Sequence, residues 1–382
     1  MIILMVMESM IAGSCGNHNP EAVRVEPRLL PPLPPAAGQQ VQFGLAGPLA
    51  GRLGDLVMVA GGANFEDAMP WRGGTKSYHD EIYLLRKAGD QEVAWQQSLQ
   101  RLTEPQAYAG CLSLEQGLLV IGGENDHGPV DRVSLYTYDG DSLRVTPFPA
   151  LPEAITSPGV VHCGGRVYVV GGLTASGATP LLLSLDPARP EGGWQRLPDL
   201  PVALSHGVVV AQQDGTEECI YLLGGRNKTS EVHTFFSKIW KYVPSAASWQ
   251  EEGEILSGGE TLALSAGTGL ACGNEMILLF GGDPGIYFRQ TELLNNALAA
   301  ASDSVRPRLL AEKDTLLTHH PGFSRDILAY HTLSRKWEKV GEAGEGLPVT
   351  TVAFQWNGMV LIPSGEIRPG VRTPVVTAFT VK

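Results

Sequence analysis

The chain has 382 residues, 43% of them apolar and only 18% charged, with 46 Gly, 27 Pro and a formal net charge of −12. This balance suits a turn-rich, sheet-rich globular protein. It disfavours nucleic acid and anionic membranes as partners, because no basic run or basic face offsets the acidic surface.

Residues 1–20 read as a leader. Met1 to Ile11 is mostly apolar and runs into Ala12-Gly13-Ser14-Cys15. Small residues just before a Cys look like a bacterial lipoprotein cleavage site. The expectation is export, with a lipid anchor at Cys15. Against it stand the lack of Lys or Arg at the start and the interruption at Glu8. A mis-assigned start codon or a disordered tail is the alternative.

From residue 21 to 382 one phrase returns. Leu56-Val57-Met58-Val59-Ala60 ends in Gly61-Gly62, and Leu118-Leu119-Val120-Ile121 ends in Gly122-Gly123. Equivalent apolar runs precede Gly171-Gly172, Gly224-Gly225 and Gly281-Gly282, and a worn sixth copy ends in Ser364-Gly365. A spacing of about 50 residues is the period of a kelch propeller blade. The expected fold is therefore all-β, a single six-bladed propeller. Each repeat parses into four strands: a small-residue strand, the run ending in Gly-Gly, an aromatic or branched alternation, and an outer strand often carrying a Trp (Trp95, Trp194, Trp249, Trp337). Each Trp is read as packing between blades. A second refrain links blades, as in Leu30-Pro31-Pro32-Leu33-Pro34, Phe148-Pro149-Ala150-Leu151-Pro152 and Leu197-Pro198-Asp199-Leu200-Pro201. Only three strands follow Pro348, so residues near 22–30 are expected to supply the missing outer strand and close the ring without an open edge.

Two blades break the period. Residues 63–78 form a long connection, and a longer insertion of about 283–325 contains Thr291 to Ala301, a stretch of helical composition. Long insertions in a regular repeat are usually functional, and a lid over one mouth of the central channel is expected. Cys111, Cys163, Cys219 and Cys272 fall in or beside apolar runs of four blades, without metal-ligand spacing. Buried free thiols are expected, with a disulfide between neighbouring blades as the alternative. No metal or cofactor is called for.

Residues just after each Gly-Gly pair should form a ring at one mouth: Ala63-Asn64, Glu124-Asn125, Leu173-Thr174, Arg226-Asn227, Asp283 and Glu366. Such a mixture of carboxylates, an Arg and amides suits a polar small-molecule site; solvated turn residues are the alternative. In the last blade, Pro369-Gly370 marks a turn. A hairpin about it brings Glu366 and Arg372 together at the mouth, either as a surface ion pair or as a base beside a carboxylate-binding cation.

Gly61-Gly62-Ala63-Asn64-Phe65, Lys76-Ser77-Tyr78, Gly122-Gly123-Glu124 and above all Gly365-Glu366-Ile367-Arg368-Pro369-Gly370-Val371-Arg372-Thr373 resemble the N-acetylneuraminate epimerases. These are bacterial sialic acid mutarotases built as six-bladed kelch propellers, and this chain is similar to their circularly permuted branch. The resemblance implies interconversion of sialic acid anomers by general acid/base catalysis, with Glu366 as base and Arg372 as its site partner, and export to the periplasm or outer membrane of a Gram-negative bacterium. Asn64, Lys76, Tyr108, Glu124 and Arg226 are the candidate substrate contacts. Where the family often has an Arg ahead of an Ala-Tyr pair, this chain has Gln106, which leaves Arg226 as the candidate replacement. The competing reading is a non-catalytic propeller that binds a glycan or a protein partner. A sialidase would carry Ser-x-Asp-x-Gly repeats, which are not found in the sequence.

Overall fold

A computed structural model describes residues 23–89, 92–344 and 346–382. The leader and Cys15 lie outside the described residues. Among the described residues, six four-stranded antiparallel sheets form the blades, and two-stranded ribbons lie in the connections between strands and between blades. Blade 1 consists of Leu49–Leu53, Leu56–Ala60, Ile82–Lys87 and Val93–Gln97. Blades 2 to 5 repeat that order from Gly110, Gly159, Val208 and Thr268. Blade 6 combines Phe354–Trp356, Met359–Pro363 and Val376–Val381 with an outer strand from the other end of the chain, Val25–Leu30. The two chain ends pair antiparallel in a register that sets Val25 against Val381 and Leu30 against Val376. The ring closes as the strand count required.

The apolar runs before Gly-Gly are continuous because both faces of every blade are covered. Six buried clusters occupy the six interfaces between neighbouring blades. Side chains alternate between them along a strand. In Ile220-Tyr221-Leu222-Leu223, Ile220 and Leu222 pack with Val170 and Leu182 of blade 3, whereas Tyr221 and Leu223 pack with Ile277 and Leu279 of blade 5. A half-exposed strand would have alternated polar with apolar; these do not.

The outer-strand tryptophans carry a second function that ties the two refrains together. Trp95 Nε1 donates to the Pro31 carbonyl at 2.7 Å, Trp194 to Pro149 at 2.8 Å and Trp249 to Pro198 at 3.1 Å. Trp337 donates to Glu254 at 2.9 Å. The first three Trp side chains thus fasten their blades to the links that enter them, and Trp337 ties blade 5 to the end of the preceding outer strand, Ser248–Glu254, each a polar handle on an apolar body.

At one mouth the chain forms a throat. Gly47, Tyr108, Ser157, His206, Ala266 and Thr350, one per blade, all take left-handed backbone angles, with φ between 51° and 59°. Five backbone bonds connect them around the axis: Tyr108 to Gly47, Ser157 to Tyr108, Ala266 to His206, Thr350 to Ala266 and Gly47 to Thr350, at 2.7 to 3.0 Å. Left-handed non-glycine residues are strained and persist only where surroundings over-determine them. The circumferential bonds supply that constraint. Below the throat runs a narrow channel of about 170 Å³.

The insertion of blade 5 folds into two helices, α1 (Ile286–Ala300) and α2 (Arg306–Thr318). The first takes in residues 291–300 of the expected helical stretch, with Ala301 as its C-cap, and the second lies outside that stretch. Cys111, Cys163, Cys219 and Cys272 are all free.

Candidate active site

Above the throat, beneath the two helices, lies a cavity of about 570 Å³, within the range of about 300–1,000 Å³ usual for small-molecule sites. Its walls include Lys76, Tyr108, Arg226, Asp283, Glu366 and Arg372. The first residue after each Gly-Gly is fixed by a backbone bridge to the residue just before the throat: Ser205 with Arg226, Ser265 with Asp283, Val349 with Glu366. Arg226, Asp283 and Glu366 therefore occupy equivalent positions on blades 4, 5 and 6 and share one arc of the mouth.

The Glu366–Arg372 hairpin forms as its turn signal required, with the two residues directly paired in register. Gly370 takes φ 75°, and a Cβ there would meet Pro70 Cδ at 2.8 Å, so only Gly fits the turn. Its N–H donates to Glu366 Oε1 at 2.8 Å. Arg372 Nη1 stands 3.7 Å from Glu366 Oε1, an ion pair too long for a hydrogen bond. The Arg372 guanidinium lies over the Phe65 ring at 4.7 Å. It is buried, and among the described residues nothing accepts from its Nε or Nη1. Buried donors without acceptors cost about 1–3 kcal/mol each, so this site is built for an acceptor that the protein does not provide.

Arg226 is half-buried and packs against Phe288, whose ring lies 4.8 Å from its guanidinium carbon, and its Nη2 contacts His206 Nε2 at 3.2 Å. Burial first, and then Arg226, hold His206 well below the usual histidine range. It stays neutral, with Nδ1 toward the Ser205 hydroxyl at 2.9 Å and Nε2 accepting from Arg226. Burial pulls Arg226 down, while Asp283, Glu366 and Glu292 push it up. Burial also lifts the Asp283 carboxyl, against the opposing pull of the Gly285 N–H and Arg226.

On the far wall Lys76 Nζ lies over the Tyr78 and Tyr108 rings and contacts Glu124 Oε1 at 3.1 Å. Tyr78 donates to the same oxygen at 2.6 Å. Glu124 is thus reached through Lys76 rather than lining the cavity. Burial pushes the Tyr108 hydroxyl up to about 12. Asn64 is not at the cavity. It is buried, donates to the Gly44 carbonyl at 3.1 Å and meets His79 Nε2 at 2.8 Å. The ring position in blade 1 is Ala63, and the next residue along a strand faces the other way. Gln106 is buried too, donating to the Gly122 carbonyl and accepting from Arg132, so it plays no part in the wall. The insertion expected to cover the mouth contributes wall residues that the sequence did not single out: Tyr287, Phe288, Leu317, His320 and Phe323 form an aromatic and apolar roof.

The family model described as N-acetylneuraminate epimerase matches residues 17–145 and 148–382. Among curated relatives, the N-acetylneuraminate epimerase of Salmonella arizonae is 26% identical over 235 residues, which take in 60% of this chain and 58% of the relative. That of Brucella melitensis is 38% identical over 123 residues, 30% of each chain. The chain thus spans less than two thirds of the length of the curated relatives it matches. The solved structure of YjhT is similar in fold, with a TM-score of 0.61 and 16% identity, covering 92% of this chain and 99% of that one.

Proposed function

The chain belongs to the N-acetylneuraminate epimerase family, and from that premise we propose that it is an isomerase interconverting the α and β anomers of N-acetylneuraminate. The observation that carries this reading is the buried Arg372 guanidinium, whose Nε and Nη1 lack acceptors among the described residues, paired in register with a carboxylate at the same cavity. Sialic acid bears a carboxylate on its anomeric carbon. A planar, permanently charged fork is the group best shaped to hold it. Seating that carboxylate on Arg372 sets the anomeric hydroxyl near Glu366, which is its paired neighbour. Glu366 takes the hydroxyl proton as the ring opens and returns it after bond rotation, when the ring closes on the other face. Lys76 and Arg226 add positive charge around an anionic substrate. The aromatic roof covers the apolar parts of the sugar and excludes water. Export, with lipid attachment at Cys15, belongs to the same proposal and rests on the leader sequence and on the family.

Proton NMR of freshly released α-sialic acid tests it. Relaxation to the β anomer should be faster with the protein than in buffer, and Glu366→Gln should remove about 100-fold or more of the acceleration with an unchanged circular dichroism spectrum. An uncatalysed wild-type rate would end the enzymatic reading and leave the non-catalytic glycan-binding one.

A further inference from the structure

Opening a cyclic hemiketal moves two protons: one leaves the anomeric hydroxyl and one must reach the ring oxygen. Glu366 serves the first. Most other titratable groups of the cavity are committed or unsuited. Glu292 spends both oxygens on His233, at 2.6 Å to Nδ1 and 2.7 Å to the backbone N–H. Lys76 is paired with Glu124. Tyr108 is too weak an acid, held at about 12 by burial. His320 accepts the Gly322 N–H on Nδ1 and is held neutral, at about 4.

Asp283 remains. It occupies the ring position next to that of Glu366 and is 7% exposed. One of its oxygens accepts the Gly285 N–H at 2.8 Å. Among the described residues no protein group donates to its second oxygen. The lid rises directly from it, since α1 starts three residues on.

Building on the mutarotase reading, we infer that Asp283 is a second catalytic carboxyl, the acid that delivers a proton to the ring oxygen while Glu366 removes the one on the anomeric hydroxyl. The ring C–O bond breaks, and its electron pair takes the Asp283 proton to become a hydroxyl. The anomeric O–H pair becomes the carbonyl, and its proton goes to Glu366. After rotation the hydroxyl returns its proton to Asp283 and attacks the other face, and the carbonyl oxygen recovers the proton from Glu366. Nothing is consumed. The two carboxyls do opposite work because their surroundings differ. Asp283 is desolvated under the lid, which favours its neutral form, and faces Arg226, Glu366 and the Gly285 N–H. Glu366 stands 3.7 Å from the Arg372 guanidinium and accepts the Gly370 N–H at 2.8 Å. Arg226 then steadies the transient Asp283 anion.

The test is the anomer-exchange rate of the full chain by NMR across pH. Wild type should show a bell, its alkaline limb reporting loss of the Asp283 proton. Asp283→Asn keeps an acceptor for the Gly285 N–H; it should lower kcat by about 100-fold or more, leave KM within about threefold and abolish the alkaline limb. Should that variant not fold, Asp283→Glu decides, because moving the carboxyl by one methylene should still cut kcat by about tenfold or more. An active wild type whose Asp283→Asn form, or failing that its Asp283→Glu form, keeps wild-type kcat and pH profile overturns this inference alone. A wild type that never accelerates exchange overturns the mutarotase reading and this one with it.

Discussion

Arg372 concentrates the logic of the site in one side chain. It is buried and stacked on Phe65, yet two of its N–H groups have no acceptor among the described residues. A protein optimised for stability alone would satisfy or delete them. Arg372→Lys retains the charge but loses both the planar fork and the ring stacking. It should raise KM about 10- to 100-fold with kcat changed less than about fivefold, while the melting temperature holds. Progress curves over a range of sialic acid concentrations read the split, and an unchanged KM would remove Arg372 from the substrate contacts. This residue and Glu366 were legible beforehand because Pro369-Gly370 announces a tight turn, and a tight turn fixes which residues face each other. Asn64 was not, since a period of two makes a one-residue offset decisive: Ala63 holds the ring position and Asn64 turns back to Gly44 and His79. Asp283 stood in the ring by spacing, but only the helices above it show why its environment differs from that of Glu366.

The lid is an element held by its edges. α1 buries only Leu298, and α2 only Leu309 and Leu317. Their anchorage comes instead from Glu292 on the His233 hairpin of blade 4 and from Asp314, which accepts from Trp71 and Arg72 of the blade 1 connection. The first helix could be read from its run of Leu, Ala and Asn. The second could not, because Arg306-Pro307-Arg308 and Glu312-Lys313-Asp314 give it no apolar stripe; its fold depends on the partners it reaches. His320, at the end of α2, packs between Tyr287 and Phe323, and burial first, then Arg368, hold it at about 4. A freed His320 titrates near 6.5. Between those values the opened lid binds a proton that the docked lid refuses, so docking is strongest above pH 6.5 and weakens as pH falls toward 4. His206 adds a trend of the same sign, but to the blades, so the measurement must be local. Amide hydrogen exchange should show Ile286–Thr318 losing protection between pH 7 and 4.5 ahead of the blade strands. His320→Phe should abolish that difference. Equal loss in lid and blades would show that His320 does not govern docking.

At the scale of the whole molecule, closure converts one strand into a property of the entire ring. The paired chain ends were predictable by counting: five complete sets of four strands, one set of three, and a stray extended segment near residue 25. What counting could not reveal is how unevenly that segment is invested. In Val25–Leu30 only Val25 and Leu30 are buried. Val25 packs with Leu278, Val340 and Phe379 between blades 5 and 6, whereas Leu29 is 70% exposed. Val25→Ala removes two buried methyl carbons, about 0.8 kcal/mol each by transfer, with a further cost for the cavity left behind. The expected loss is about 2 kcal/mol. Leu29→Ala, one pairing step from the strand's end, should cost under about 0.5 kcal/mol. Because each blade buries its faces only against its neighbours, the closing strand cannot melt alone without exposing an interface on both sides. Urea titration of Val25→Ala should therefore move the midpoint of the whole transition while leaving its slope unchanged. A separate early phase confined to blade 6, or equal effects from the two substitutions, would mean that the ends of the chain decorate the ring rather than lock it.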